Sequence, residues 1–166
     1  MPDKSTQPSS QPQHHWLIKS EPSVYSIDDL KRDKKTSWEG VRNYQARNTI
    51  RDSIKIGDLA FFYHSNAEPS GIAGVARACS KPYGDPTALD KKSEYFDAKS
   101  TPDEPIWFTI DFAFVKRFDT LISVEQLKKE PRIRSTPVLQ RGQRLSVMPV
   151  SAEHFQIILA MAGTDV

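Results

Sequence analysis

The sequence has one cysteine, Cys79, in 166 residues. A lone thiol cannot form an internal bridge, so the fold must rest on a packed core, and nothing points to an oxidising compartment. No apolar run approaches the length of a membrane span, and the N-terminus has no hydrophobic signal core. Excess charge is small, a formal net +2, which argues against a protein that coats nucleic acid by charge alone. A local basic surface stays open. The usual catalytic signatures are missing: there is no Gly-rich phosphate loop, no HExxH and no G-x-S-x-G. Histidines number four. His14 and His15 have no other Cys or His nearby in sequence and read as incidental, so no metal and no cofactor is expected. What remains is a soluble, intracellular chain of one domain, long enough to bury a core.

Residues 1–13 are Ser, Gln and Pro with almost no apolar content and read as a disordered tail. Trp16, Leu17 and Ile18 predict a short buried strand that Glu21-Pro22 ends. The Ser-x-x-Asp start at Ser26 predicts a short helix. A second helix is expected over Asn43 to Ile54, a turn at Lys55 to Asp58, and strands at Leu59–Asn66 and Gly71–Cys79. Cys79 reads there as a structural residue of an apolar strand. Ser80 to Pro105 has no clear periodicity, and a loop of that length in a compact domain is usually functional or mobile. Ile106 to Phe118 is the clearest strand: Phe108, Ile110, Phe112 and Phe114 alternate onto one face, opposite Trp107, Thr109 and Asp111. A Ser-x-x-Gln capping box at Ser123 predicts a short helix. "QRLSVMPVS" supplies a last strand, and Phe155, Ile158, Leu159 and Ala162 share one face of a final helix from Ser151. Short strands mixed with short helices, without βαβ alternation, favour an α+β fold: a small mixed or barrel-like sheet with helices packed outside it.

The stretch "SWEGVRNYQARN", Ser37 to Asn48, has polar and flat side chains where an ordinary helix would have Leu or Val. Trp38, Tyr63 and Tyr44 offer large π surfaces; Ser20, Asn43 and Ser65 offer neutral donors and acceptors. Flat ligands with polar edges, nucleobases above all, are held by such a combination. The alternative is an ordinary core anchor at Trp38 and a helix cap at Asn43. His64, after Phe61-Phe62-Tyr63, is either a strand-end histidine with a satisfied hydrogen bond or a pocket wall. Leu127 to Arg144 holds six Lys or Arg against one acidic residue, and Arg42 to Lys55 four against one. Such segments suit a phosphate backbone passing near a pocket, or simply a solvated face.

"WLIKSEP", "WEGVRNYQARN", "GDLAFFYHSN", "GIAGVA" and "QRLSVMPVS", in this order, resemble the EVE domain family, within it the thymocyte nuclear protein 1-like group and its bacterial members. The resemblance covers residues 15 to about 160, so residues 14–166 are taken as the domain. It implies a PUA-like fold, a small β-barrel flanked by short helices. It also implies binding of a modified base, cytosine derivatives in DNA among them. Carried onto this chain, Lys19, Ser20 and Glu21 line the pocket, with Trp38, Val41, Asn43 and Tyr44, and Tyr63, His64 and Ser65. In that reading Trp38 is a stacking wall and Gly40 lets the backbone approach the ligand edge. Arg141 and Arg144 are candidates for contacts to the nucleic-acid backbone. The short tail lacks the basic, nuclear-targeting character of eukaryotic members, which favours a bacterial cytoplasm; the partner expected is nucleic acid, DNA or RNA, with no membrane, and the chain is taken as a monomer. Two other classes stand beside the non-enzymatic reader: a small-molecule or protein-interaction module using the same pocket, and an enzyme in which Glu21 and His64 act as acid and base on a flipped nucleotide.

Overall fold

A computed structural model describes residues 14–166; the expected tail, 1–13, lies outside the described residues. Six strands form one sheet in the order β2-β7-β4-β3-β1-β8. They are β1 (His15–Ser20), β2 (Lys35–Ser37), β3 (Leu59–His64), β4 (Gly71–Ala78), β7 (Asp111–Ser123) and β8 (Val147–Val150). β1 and β3 run parallel, and the other pairs are antiparallel. A separate ladder joins β5 (Tyr83–Gly84) to β6 (Phe108–Thr109). Register shifts between Phe62 and Tyr63 on β3, and twice along β4 against β7, bend these strands. The sheet curls into a half-barrel flanked by short helices, the α+β arrangement expected.

Alternation splits the strands between two cores. Trp16 and Ile18 of β1, Phe62 of β3 and Phe112 of β7 pack on one face with Trp38, Val41 and Ile50. Leu17, Phe61 and Val75 pack on the other, beneath Phe155, Ile158 and Leu159. Both faces of the sheet are therefore buried. A buried polar pair borders the first core: the Trp16 indole N–H donates to Asp58 Oδ2 at 2.9 Å, and the same oxygen accepts the Lys55 N–H at 2.9 Å. That bond fixes the turn before β3.

The helices start where their caps predict. At α1 (Ile27–Asp33), Ser26 Oγ accepts the Asp29 N–H and Asp29 accepts the Ser26 N–H, a reciprocal capping box. Ile27 rests on the sheet at Gly74, where a Cβ would lie 2.2 Å from the Lys116 carbonyl and 3.0 Å from Ile27 itself. α2 (Tyr44–Asn48) is capped by Asn43, whose side chain accepts the Ala46 N–H at 3.0 Å. The helix expected to Ile54 changes there to a wider turn, Thr49–Ser53, closed by Ile54 N–H to the Thr49 carbonyl. α3 (Val124–Lys128) carries the Ser123–Gln126 capping box, and α4 (Ala152–Met161) buries Phe155, Ile158 and Leu159.

Two expectations need correction. The strand from Ile106 to Phe118 is divided: Phe108–Thr109 pairs with β5, and β7 begins at Asp111 and runs on to Ser123. The alternation itself holds, since Phe108, Ile110, Phe112 and Phe114 all reach the first core. Cys79 is exposed, not buried in a strand. β4 ends at Ala78, and the chain turns away as the Cys79 N–H donates to the Asp111 carbonyl.

Candidate functional site

The ends of β1 and β2 open beside each other onto a cleft of about 400 Å³, within the size range of small-molecule sites. β1 contributes Lys19 and Ser20, and the turn after it Glu21, Val24 and Tyr25. The strand end at β2 contributes Ser37, Trp38 and Glu39, and the long loop contributes Thr87 and Tyr95.

Each wall is held by specific bonds. Lys19 sits between strands, its N–H donating to the Ser146 carbonyl at 2.9 Å. Its ammonium lies 5.8 Å from the Tyr63 ring centroid, and burial pulls its pKa down. Ser20 Oγ donates to the Tyr25 carbonyl at 2.6 Å, while the N–H groups of Val24 and Tyr25 both donate to the Glu21 carbonyl. These three hydrogen bonds close the turn. The Glu21 carboxylate accepts from Asn66 Nδ2 at 2.9 Å. Trp38 is fixed by its main-chain N–H to the Ile110 carbonyl at 2.9 Å, and its ring meets Phe62 and Phe112 edge-on, centroids 5.6 and 5.7 Å away. It is 9% exposed, so a strip of the indole and not a whole face opens outward.

The fourth wall depends on Asp85, buried at the start of the 3₁₀ turn Pro86–Ala88. Its carboxylate accepts from the Gly40 N–H at 2.8 Å, Arg42 Nη1 at 3.0 Å, the Thr87 N–H at 2.8 Å and Thr87 Oγ1 at 2.6 Å. Burial pushes the Asp85 pKa up, but the bonds from Thr87, Gly40 and Arg42 outweigh it and hold the carboxyl below its ordinary value. Arg42 also donates to the Tyr95 carbonyl at 2.7 Å and lies 5.4 Å from its ring centroid. The Tyr95 ring in turn lies against Gly40, whose φ of +84° needs a glycine and where a Cβ would come within 2.8 Å of that ring. The close approach expected of a ligand at Gly40 belongs here to Tyr95.

The structure brings Lys19, Ser20, Glu21 and Trp38 together in the cleft. Val41 is buried in the first core, and Asn43 is the cap of α2. Tyr44 is 59% exposed and stacks on Trp107, centroids 4.8 Å apart. Tyr63 points into the second core, with burial raising its pKa. His64 Nε2 accepts the Ile27 N–H at 3.1 Å and the ring packs edge-on against Phe62. That acceptor role needs the neutral imidazole. Desolvation lowers the His64 pKa, against an upward pull from Asp28, with Arg117 also lowering it. Tyr63 and His64 pair in register with Lys19 and Ser20, and the Ser65 N–H donates to the Ser20 carbonyl at 3.0 Å, so their backbones support the cleft wall. Arg141 and Arg144 are exposed just before Ser146 and have no carboxylate partner among the described residues. Arg132, by contrast, is spent on Glu130 and holds that carboxyl at about 2.

Sequence reasoning missed Tyr25, Glu39, Thr87 and Tyr95 as lining, and Asp85 as their support. The length of the loop was the available signal; Asp85-Pro86-Thr87 within it has the pattern of a capped turn. Among the described residues no group of three or more His, Cys, Asp or Glu could hold a metal, and no helix is long and apolar enough to cross a membrane.

The family model of the EVE domain matches residues 14–161. The chain belongs to the EVE domain family. Thymocyte nuclear protein 1 of Danio rerio is 39% identical over 90% of this chain and 72% of its own length. A solved structure of a Pseudomonas syringae protein superposes with a TM-score of 0.85 at 47% identity, covering 89% of this chain and 99% of that one. The human THYN1 protein, solved in complex with 5-methylcytosine-containing DNA, is similar with a TM-score of 0.82 at 37% identity, covering 93% of this EVE chain and 100% of that chain.

Proposed function

We propose that this protein is a non-enzymatic reader that binds a modified cytosine in DNA, with the base in the cleft that Trp38 and Tyr95 line. The carrying observation is the cleft itself: aromatic side chains beside a polar edge of Lys19, Ser20, Glu21 and Glu39, in a chain similar to one solved with 5-methylcytosine-containing DNA. Aromatic surface holds the flat faces of a base, and hydrogen-bonding groups read its edge. Val41, Asn43, Tyr44, Tyr63, His64 and Ser65 support the lining from behind or beside it. Arg141 and Arg144 contact phosphates; the Lys19–Ser146 bond, which ties their loop to the cleft wall, supports that role.

A reader needs no proton transfer. The commitment of His64 Nε2 to the α1 backbone supports that reading over an acid–base pair with Glu21. A cytoplasmic location fits the single, unpaired cysteine. A monomer fits a sheet covered on both faces by its own chain. The test is calorimetry with a 5-methylcytosine oligonucleotide, followed by mass spectrometry of the recovered strand. Tyr95→Ala should weaken binding by roughly 1–3 kcal/mol, the worth of a stacking contact, Trp38→Ala should weaken it as well, and the oligonucleotide should return unchanged. A new base or an abasic site formed by the parent, and lost with Glu21→Gln, would replace the reader by an enzyme.

A further inference from the structure

Two of the three tryptophans have their indole N–H matched by a carboxylate. Trp16 donates to Asp58 Oδ2 at 2.9 Å, and Trp107 to Asp97 Oδ2 at 2.7 Å. Trp38 is as enclosed as they are, at 9% exposure against 6% for each of the others. Yet its N–H has no acceptor among the described residues. It is not sealed either: the buried side-chain polar atoms without a partner are the hydroxyls of Thr109 and Thr136. An enclosed indole N–H normally finds an acceptor. Here the surface that Trp38 lines is the cleft.

We propose that the Trp38 N–H donates to the ring nitrogen N3 of a cytosine-type base in the cleft, and so selects cytosine bases over uracil and thymine. This rests on the reader function proposed above and adds how the base is told from its relatives. An indole nitrogen is a donor and never an acceptor. Its direction is set before any ligand arrives, because Phe62 and Phe112 clamp the ring and the Trp38 main chain is bonded to Ile110. N3 of cytosine is an acceptor beside an amino donor; N3 of uracil and thymine carries a hydrogen. A donor with a carboxylate close by matches the first edge, and Glu39, the next residue, and Glu21 line the same cleft. Against the second edge, two donors meet and neither finds an acceptor, which is how a polar site rejects a near-isostere. A group at position 5 leaves N3 unchanged. Trp38 therefore fixes the base, and the modification is sensed elsewhere in the cleft.

The experiment uses duplex oligonucleotides with one variable position set opposite an abasic site, so that N3 has no guanine partner: 5-methylcytosine, its 3-deaza analogue with C–H in place of N3, or thymine. The parent should bind the 3-deaza and thymine duplexes about tenfold more weakly than the 5-methylcytosine duplex, the upper range for one hydrogen bond. Trp38→Phe keeps a ring without the N–H. It should bind 5-methylcytosine about tenfold more weakly than the parent does, and the 3-deaza duplex no differently from 5-methylcytosine. If Trp38→Phe fails to fold, a benzothienyl-alanine isostere at position 38, with sulfur in place of N–H, takes its place. A parent that binds the 3-deaza duplex as tightly as 5-methylcytosine overturns the inference and leaves the reader function standing. A variant without the N–H that keeps the full N3 preference overturns it too. A parent that binds none of the duplexes overturns the reader function, and this inference with it.

Discussion

Asp85→Ala is the substitution from which the structure predicts most. The carboxylate is 2% exposed and accepts four hydrogen bonds, from the Gly40 N–H, Arg42, the Thr87 N–H and the Thr87 hydroxyl. The Thr87 hydroxyl can turn elsewhere. The two backbone N–H groups cannot, and the Arg42 guanidinium, with 22% of its side chain exposed, loses its counter-charge. Breaking a buried pair by removing one partner costs about 3–5 kcal/mol, because the other charge stays behind. For a chain of this size that lowers Tm by roughly 6–20 °C. Urea unfolding of parent and variant measures it. The pH dependence is a second signature. The folded-state pKa of Asp85 is lowered, so its contribution is present above the ordinary carboxylate value of about 4 and is lost as pH falls through the lower folded value. The gap between parent and Asp85→Ala should be full at neutral pH and shrink below about pH 4. A loss under about 1 kcal/mol at pH 7, or a gap that ignores acid, would refute the role given to Asp85.

Three further expectations concern other parts of the site. The His64 pKa is lowered, so its neutral form stabilises the fold above about pH 6.5 and that stability declines as pH drops toward the folded value; His64→Ala should flatten the decline in urea midpoints between pH 7 and 5, and an unchanged slope would assign it to another group. Gly40→Ala meets both a positive φ and the Tyr95 ring; it should cost roughly 1–3 kcal/mol in unfolding experiments and shift the Tyr95 ring resonances in NMR spectra. Arg141→Ala and Arg144→Ala should weaken binding to all DNA sequences alike and reduce the salt slope by about one phosphate's share each; a parent-like slope would return these residues to the solvated surface.

Much of the fold could be read locally. Ser26 with Asp29, and Ser123 with Gln126, announce helix starts because both partners of the capping box lie within one turn. The alternation through Phe112 names the inward face of β7 correctly. The break at Ile110 was hidden, because strand pairing to β5 or to β4 is decided by distant residues. The site divides the same way. Lys19, Ser20, Glu21 and Trp38 lie near one another in the cleft and belong to short motifs. Asp85, Thr87 and Tyr95 join them across 45 or more positions, through bonds such as Gly40 N–H to Asp85, and no local pattern encodes that. His64 shows the converse: of its two readings, the strand-end histidine with a satisfied hydrogen bond matches the structure, but the partner, a backbone N–H 37 positions away, could not be named from the sequence.

The central claim is that the cleft binds a modified cytosine in DNA. The most direct test is fluorescence anisotropy at fixed salt, comparing two labelled duplexes that differ in one 5-methyl group. Burying a methyl is worth roughly 1 kcal/mol, so the methylated duplex should bind about fivefold more tightly, and Trp38→Ala should lower affinity for it. Equal affinity for the two duplexes, with no response to Trp38→Ala, would contradict the claim.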